Sequence, residues 1–124
     1  MSFEGEGSAY LDLEGRVFRS AANTANGEVD DETLFFYHQQ GEVVWAEYEG
    51  GEVVKGQLLG RWRGDGKLEF AYHHLNRSGL VMAGTCLSVP EIRADGSLRL
   101  DEEWQWLTGD GSKGRSTIVE VGLA

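Results

Sequence analysis

Residues 60–70 read Gly60-Arg61-Trp62-Arg63-Gly64-Asp65-Gly66-Lys67-Leu68-Glu69-Phe70, GRWRGDGKLEF, and two folds part company on how this stretch is understood. Its Arg-x-x-Gly-x-Gly pattern, Arg61 to Gly66, suits a loop whose glycines let main-chain N–H groups approach a pyrophosphate. Such a loop also needs a helix behind it, whose positive end faces the anion. After Gly66, however, Leu68, Phe70, Tyr72 and His74 alternate with Lys67, Glu69, Ala71 and His73. That alternation fits a strand and places no apolar stripe on a helix. Asp65-Gly66 before such a run is hairpin chemistry, so the segment is expected to be a hairpin tip.

The same reading extends along the chain. Strand-like runs fall at roughly 16–22, 33–38, 42–49, 52–63, 67–76, 80–93, 97–108 and 115–121, separated mostly by Gly-containing turns, with Pro90 the sole proline. Residues 1–15 form a loose acidic lead-in, and Asn23 to Asp31 is a polar connection with room for a short turn of helix. No stretch carries a long helical period. An all-β, eight-stranded antiparallel up-and-down β-barrel over residues 16–124 is therefore expected, since closure removes both exposed edges.

Hairpin loop length fixes which residues share a face. Glu49-Gly50-Gly51-Glu52 reads as a two-residue turn that sets Trp45 beside Gly56. Gln39-Gln40-Gly41, Gly64-Asp65-Gly66, Arg77-Ser78-Gly79 and Ala94-Asp95-Gly96 read as three-residue loops ending in a left-handed glycine. The inward face is then Phe35, Tyr37; Val43, Trp45, Glu47; Val54, Gly56, Leu58, Gly60, Trp62; Leu68, Phe70, Tyr72, His74; Met82, Gly84, Cys86, Ser88; and Leu98, Leu100, Glu102, Trp104, Trp106. Large rings sit against residues without side chains, Phe70 beside Gly60 and Tyr72 beside Gly84, as filling a narrow barrel requires. The first and last strands stay unphased, because the 23–32 and 108–115 connections are too long to set a register.

A few polar groups inside an aromatic wall are the mark of a small-molecule site. Candidate ligand-binding residues are Tyr37, Trp45, Glu47, Tyr72, His74, Glu102, Trp104 and Trp106, with Glu102 and His74 anchoring a polar head and the tryptophans stacking its body. The two carboxylates motivate a ligand that is partly cationic. A second reading makes Glu102, His74 and Tyr72 an acid and base of catalysis, and a third is a filled barrel acting as an interaction module. His73 and His74 are adjacent and point to opposite faces, so they cannot share a metal, and no metal or cofactor is expected. The outward face carries Leu59, Ala71, Leu75, Val81, Ala83 and Leu87 on neighbouring strands, a patch suited to a homodimer interface.

Composition bounds the partners. With 21 acidic and 11 basic residues among 124, the net charge of -10 opposes nucleic-acid backbones and anionic membranes. The start, MSFEGEGSAYLDLEG, lacks the basic and apolar regions of a secretory signal, so a cytoplasmic location is expected. The single Cys86 forms no internal disulfide.

The stretches RVFRSAANTANGEV (16–29), VVWAEYEGGEVVKG (43–56) and DEEWQW (101–106) resemble a family of small bacterial proteins of unknown mechanism that often carry the label N-acetylglutamate synthase. That resemblance covers nearly the whole chain after residue 15 and implies acetyl transfer from acetyl-CoA to glutamate, without assigning catalytic residues. In architecture the meander with its Trp-rich interior is similar to lipocalin and avidin-type barrels, which implies small-molecule binding at the mouth. A lipocalin's Gly-x-Trp at the first strand is replaced here by Gly15-Arg16-Val17-Phe18.

Overall fold

The structure, a computed structural model, describes residues 10–121. Eight strands run in chain order around a closed antiparallel barrel: β1 (Val17–Asn23), β2 (Leu34–Gln40), β3 (Val43–Gly50), β4 (Val53–Trp62), β5 (Leu68–Asn76), β6 (Val81–Ile92), β7 (Leu98–Trp106) and β8 (Lys113–Glu120). Each pairs with its chain neighbours and β1 closes on β8, so no edge is left to template aggregation. Among the described residues there is no helix, and the polar 24–33 connection crosses its end of the barrel without one.

GRWRGDG is a hairpin tip. Arg63 N–H donates to the Lys67 carbonyl at 2.8 Å, and Gly66 takes a φ of 82° that a side chain would resist. The expected registers of the later hairpins hold: Phe70 pairs with Gly60, Tyr72 with Gly84, and β7 sets Trp104 and Trp106 beside Cys86 and Gly84. Leu68, Phe70, His74, Ser88, Leu98, Leu100 and Glu102 are all buried.

Strand β3 departs from expectation. Gln40 pairs with Val43, leaving Gly41-Glu42 as a two-residue turn instead of a three-residue loop over 39–41. At its other end Gly50 pairs with Val53, and bulges interrupt the ladder between Tyr48 and Gly50 and between Val53 and Lys55. The two departures offset one another, so β2 and β4 keep their expected faces for most of their length while β3 alone is turned over. Val44, Ala46 and Tyr48 are buried; Val43, Trp45 and Glu47 face outward, and Tyr48 takes the place opposite Gly56 assigned to Trp45. At the start of β4, Val53 replaces Val54 inside, again because of the bulge.

Of the acidic lead-in, residues 1–9 lie outside the described residues, whereas Tyr10 to Gly15 pack onto the barrel end formed by the β2–β3, β4–β5 and β6–β7 turns. Leu13 is 0% exposed, Tyr10 stacks on Trp62 with ring centroids 6.4 Å apart, and Gly15 N–H donates to the Tyr37 carbonyl at 3.0 Å. Gln39 Oε1 accepts from Leu13 N–H at 2.9 Å and from Trp62 Nε1 at 3.3 Å. This end is plugged. Tyr37, Phe18, Leu100 and Ile118, all fully buried, continue the packed core from it.

Candidate functional site

Toward the opposite end the packing opens into a cavity of about 50 Å³. Its wall comes from Phe35 of β2, Tyr48 of β3, Leu58 of β4, Phe70, Tyr72 and His74 of β5, Cys86 of β6, Glu102, Trp104 and Trp106 of β7, and Ser116 of β8. Asn23 and the connection residues Gly27, Glu28 and Val29 close it. Glycines make room for the rings: a Cβ at Gly84 would strike Tyr72, one at Gly56 would strike Tyr48, and one at Gly114 would strike Trp104. The rings pack edge to face, Trp104 on Trp106 at 5.5 Å and Tyr72 on Trp106 at 5.7 Å.

Two polar constellations break this apolar surface. Ser88, Glu102 and Ser116 lie side by side across β6, β7 and β8, all facing inward and buried. Ser116 Oγ donates to Glu102 Oε1 at 3.0 Å. Burial pushes the Glu102 carboxyl up to about 7; the Ser116 hydrogen bond opposes that rise and the Asp101 charge adds to it. No Lys or Arg is among the described residues lining the cavity, so nothing on that wall offsets an ionised Glu102 with a fixed positive charge. The Tyr37 hydroxyl, Ser88 Oγ and Asn23 Oδ1 are buried without a hydrogen-bond partner among the described residues.

The second constellation is centred on His74, which is 3% exposed. Its Nδ1 meets the Tyr48 hydroxyl at 2.8 Å and its Nε2 meets Glu28 Oε1 at 2.7 Å. A carboxylate only accepts, so Nε2 carries a proton; in the neutral ring Nδ1 then accepts from Tyr48. Asn76 Nδ2 donates to Glu28 Oε2 at 3.1 Å, while its Oδ1 accepts from the N–H groups of Ser78 and Leu80, each at 3.0 Å. Burial raises the Tyr48 and Tyr72 phenols above their ordinary range and raises the Cys86 thiol, so all three are protonated at neutral pH.

Of the residues expected at the site, Tyr72, His74, Glu102, Trp104 and Trp106 meet on the cavity wall. Tyr37 is buried inside the barrel but does not line the cavity. Trp45 and Glu47 do not belong to it: on the outer face Trp45 stacks on His38 at 5.5 Å, and Glu47 Oε1 contacts His38 Nε2 at 2.8 Å. That hydrogen bond is the main cause that raises the His38 pKa. His73 is exposed and His74 buried, on opposite faces as the strand period requires, and the described residues hold no cluster of three or more groups suited to a metal ion. Sequence reasoning missed Tyr48, hidden by the inverted phase of β3, and Asn23, Glu28 and Ser116, which lie in or beside segments whose register no turn could set.

An antiparallel up-and-down barrel, plugged at one end and carrying an aromatic cavity with buried polar groups toward the other, is an architecture consistent with small-molecule binding. Residues 11–121 match the family described as Avidin-like protein, and the chain belongs to that family. A comparison with curated proteins finds no match.

Proposed function

We propose that the protein binds a small molecule in this cavity, with an N–H-bearing, cationic end against Glu102 and Asn23 and an apolar or aromatic body against Phe70, Tyr72, Trp104 and Trp106. The observation that carries this reading is Glu102, a buried carboxyl on an aromatic wall whose only hydrogen bond within the described residues comes from Ser116. A buried carboxylate with a single donor is costly, and a ligand that supplies further donors gains what the protein alone lacks. Aromatic faces around a cation add attraction of about 0.5–2 kcal/mol. Binding is favoured over acid–base catalysis because His74, the natural base, has both ring nitrogens engaged by Tyr48 and Glu28.

The outer patch supports a homodimer. Leu59 and Val81 are 62% and 66% exposed, Leu75 is 40% exposed, Ala71 is also exposed, and Ala83 and Leu87 are half-buried between them. Covering this face removes apolar surface from water at about 25 cal/mol per Å². A native mass spectrum of the protein as purified from its own cells tests both statements. The expected species is a dimer with a reproducible extra mass that is lost on denaturation. Leu59→Glu, which sets a charge on the patch at its β4 side, is expected to give monomers that keep that mass. Dimers unchanged by Leu59→Glu would contradict the interface, and bare protein at every cone voltage would count against a retained ligand.

A further inference from the structure

The cavity is too small for a guest with an aromatic body. Small-molecule sites span roughly 300–1,000 Å³. The free space here, about 50 Å³, is room for a few waters. Any larger guest has to displace part of the wall, and the strands of a closed barrel yield least, since every one is paired on both sides. The only described wall residues outside strands are Gly27, Glu28 and Val29, in the middle of the β1–β2 connection.

Both flanks of that connection are tied down. On one side Thr24 N–H donates to the Arg115 carbonyl at 3.0 Å, Asn26 Nδ2 donates to the Lys113 carbonyl at 2.9 Å, and the Asn26 carbonyl accepts from Trp106 Nε1 at 3.1 Å. On the other side Thr33 Oγ1 donates to the Gly50 carbonyl at 3.0 Å and accepts from Asp30 N–H at 3.1 Å. Between them, within the described residues, 27–29 have two side-chain ties: Asn23 Nδ2 to the Val29 carbonyl at 3.1 Å, and the Glu28 carboxylate on His74 and Asn76. Gly27 N–H adds one bond, to the Thr24 carbonyl, within the connection itself.

The partners of Glu28 are held in place without it. Tyr48 fixes the His74 ring from its other nitrogen, and two backbone N–H groups fix the Asn76 amide so that its NH₂ faces the mouth. A charge-assisted contact between preset donors and a carboxylate that is 24% exposed can break and re-form without disturbing the barrel.

We infer that residues 27–29 are a gate over the cavity and that the Glu28 carboxylate is its latch on β5. The inference rests on the reading of the cavity as a binding site. Opening releases the donors of His74 and Asn76 and uncovers Trp104, Trp106 and the thiol of Cys86. Glu28 thereby sets how readily a guest enters.

The single cysteine reports the gate without any ligand, since Cys86 lines the cavity and is 7% exposed. Methyl methanethiosulfonate, small and uncharged, transfers its methylthio group to a thiolate and releases methanesulfinate, so the rate of mass gain per chain follows access. Relative to the wild type, Glu28→Ala is expected to react at least tenfold faster. Glu28→Gln, which keeps a carbonyl oxygen for His74 and Asn76 but loses the charge, is expected to fall between them. Global stability is measured on the same samples by urea unfolding. Equal rates in folded wild type and Glu28→Gln would overturn the latch, as would a gain no larger than the accompanying change in the unfolding equilibrium. If Glu28→Ala does not fold, the Glu28→Gln comparison decides alone. The outcome is independent of whether a small molecule is retained in the native mass spectrum, so the gate and the binding reading can fail separately.

Discussion

The ligand-free wild-type protein is expected to lose stability as the pH rises from about 4.5 to about 7, relative to Glu102→Gln, and to lose no more above that. The cause is a carboxyl whose folded pKa lies above its unfolded value of 4.5, because burial disfavours its charge. Below 4.5 both states hold the proton and the contribution is fully present; between the two values only the folded state does, and stability falls until the folded pKa is passed. The span corresponds to about 3 kcal/mol, a large share of a domain's net stability. Glutamine keeps the shape of the neutral acid and an oxygen for Ser116, so the variant removes the titration and little else. Taking the difference between the two proteins cancels His38, which Glu47 also raises, and every surface carboxylate. Urea midpoints across this pH range are the measurement. Parallel curves for the two proteins would mean that Glu102 is ionised in the fold at ordinary cost.

Much of the architecture was legible because turns and alternation agree over the second half of the chain. Gly66, Gly79 and Gly96 all adopt positive φ at the ends of their loops, as three-residue hairpins require, and they fix the faces of β4 to β7 and with them Tyr72, His74, Glu102, Trp104 and Trp106. Strand β3 was not legible for a local reason. Val43, Trp45 and Glu47 compete with Val44, Ala46 and Tyr48, and both sets are apolar enough to face a core, so the phase hung on two loops, each of which shifts its pairing by an odd number of residues: Tyr37 meets Ala46 where Val43 was expected, and Trp45 meets Leu59 where Gly56 was expected. The bulges at Gly50 and Val53 have no sequence mark beyond the glycine pair. Glu28 was out of reach altogether: its partners lie 46 and 48 residues away on β5, and a polar loop offers no period from which such a contact could be read. The cavity floor was visible in composition, while the cap that closes it exists only in the folded chain.

Stability tests the burial of Glu102, and binding tests its purpose. Benzylamine and benzyl alcohol share size and shape but differ in charge, so their comparison isolates what the carboxyl contributes inside the aromatic wall. Trp104 and Trp106 report occupancy by fluorescence, and a Trp45→Phe background removes the indole that faces outward from β3. With an ionised Glu102 the amine gains a charge-assisted hydrogen bond and ring contacts that the alcohol lacks, together worth about tenfold to a hundredfold in affinity. Because the ligand-free site holds its proton up to about 7, the amine's affinity is expected to rise about tenfold per pH unit below that value and level off above it, while the alcohol's stays flat. Glu102→Gln is expected to erase both the preference and the pH dependence. A titration of the two probes at pH 6 and pH 8, in the presence and absence of Glu102, is therefore the measurement to make: an amine preference that appears at pH 8 and vanishes with Glu102 supports a cavity built for a cationic guest, and equal binding of amine and alcohol, or a preference that survives Glu102→Gln, contradicts it.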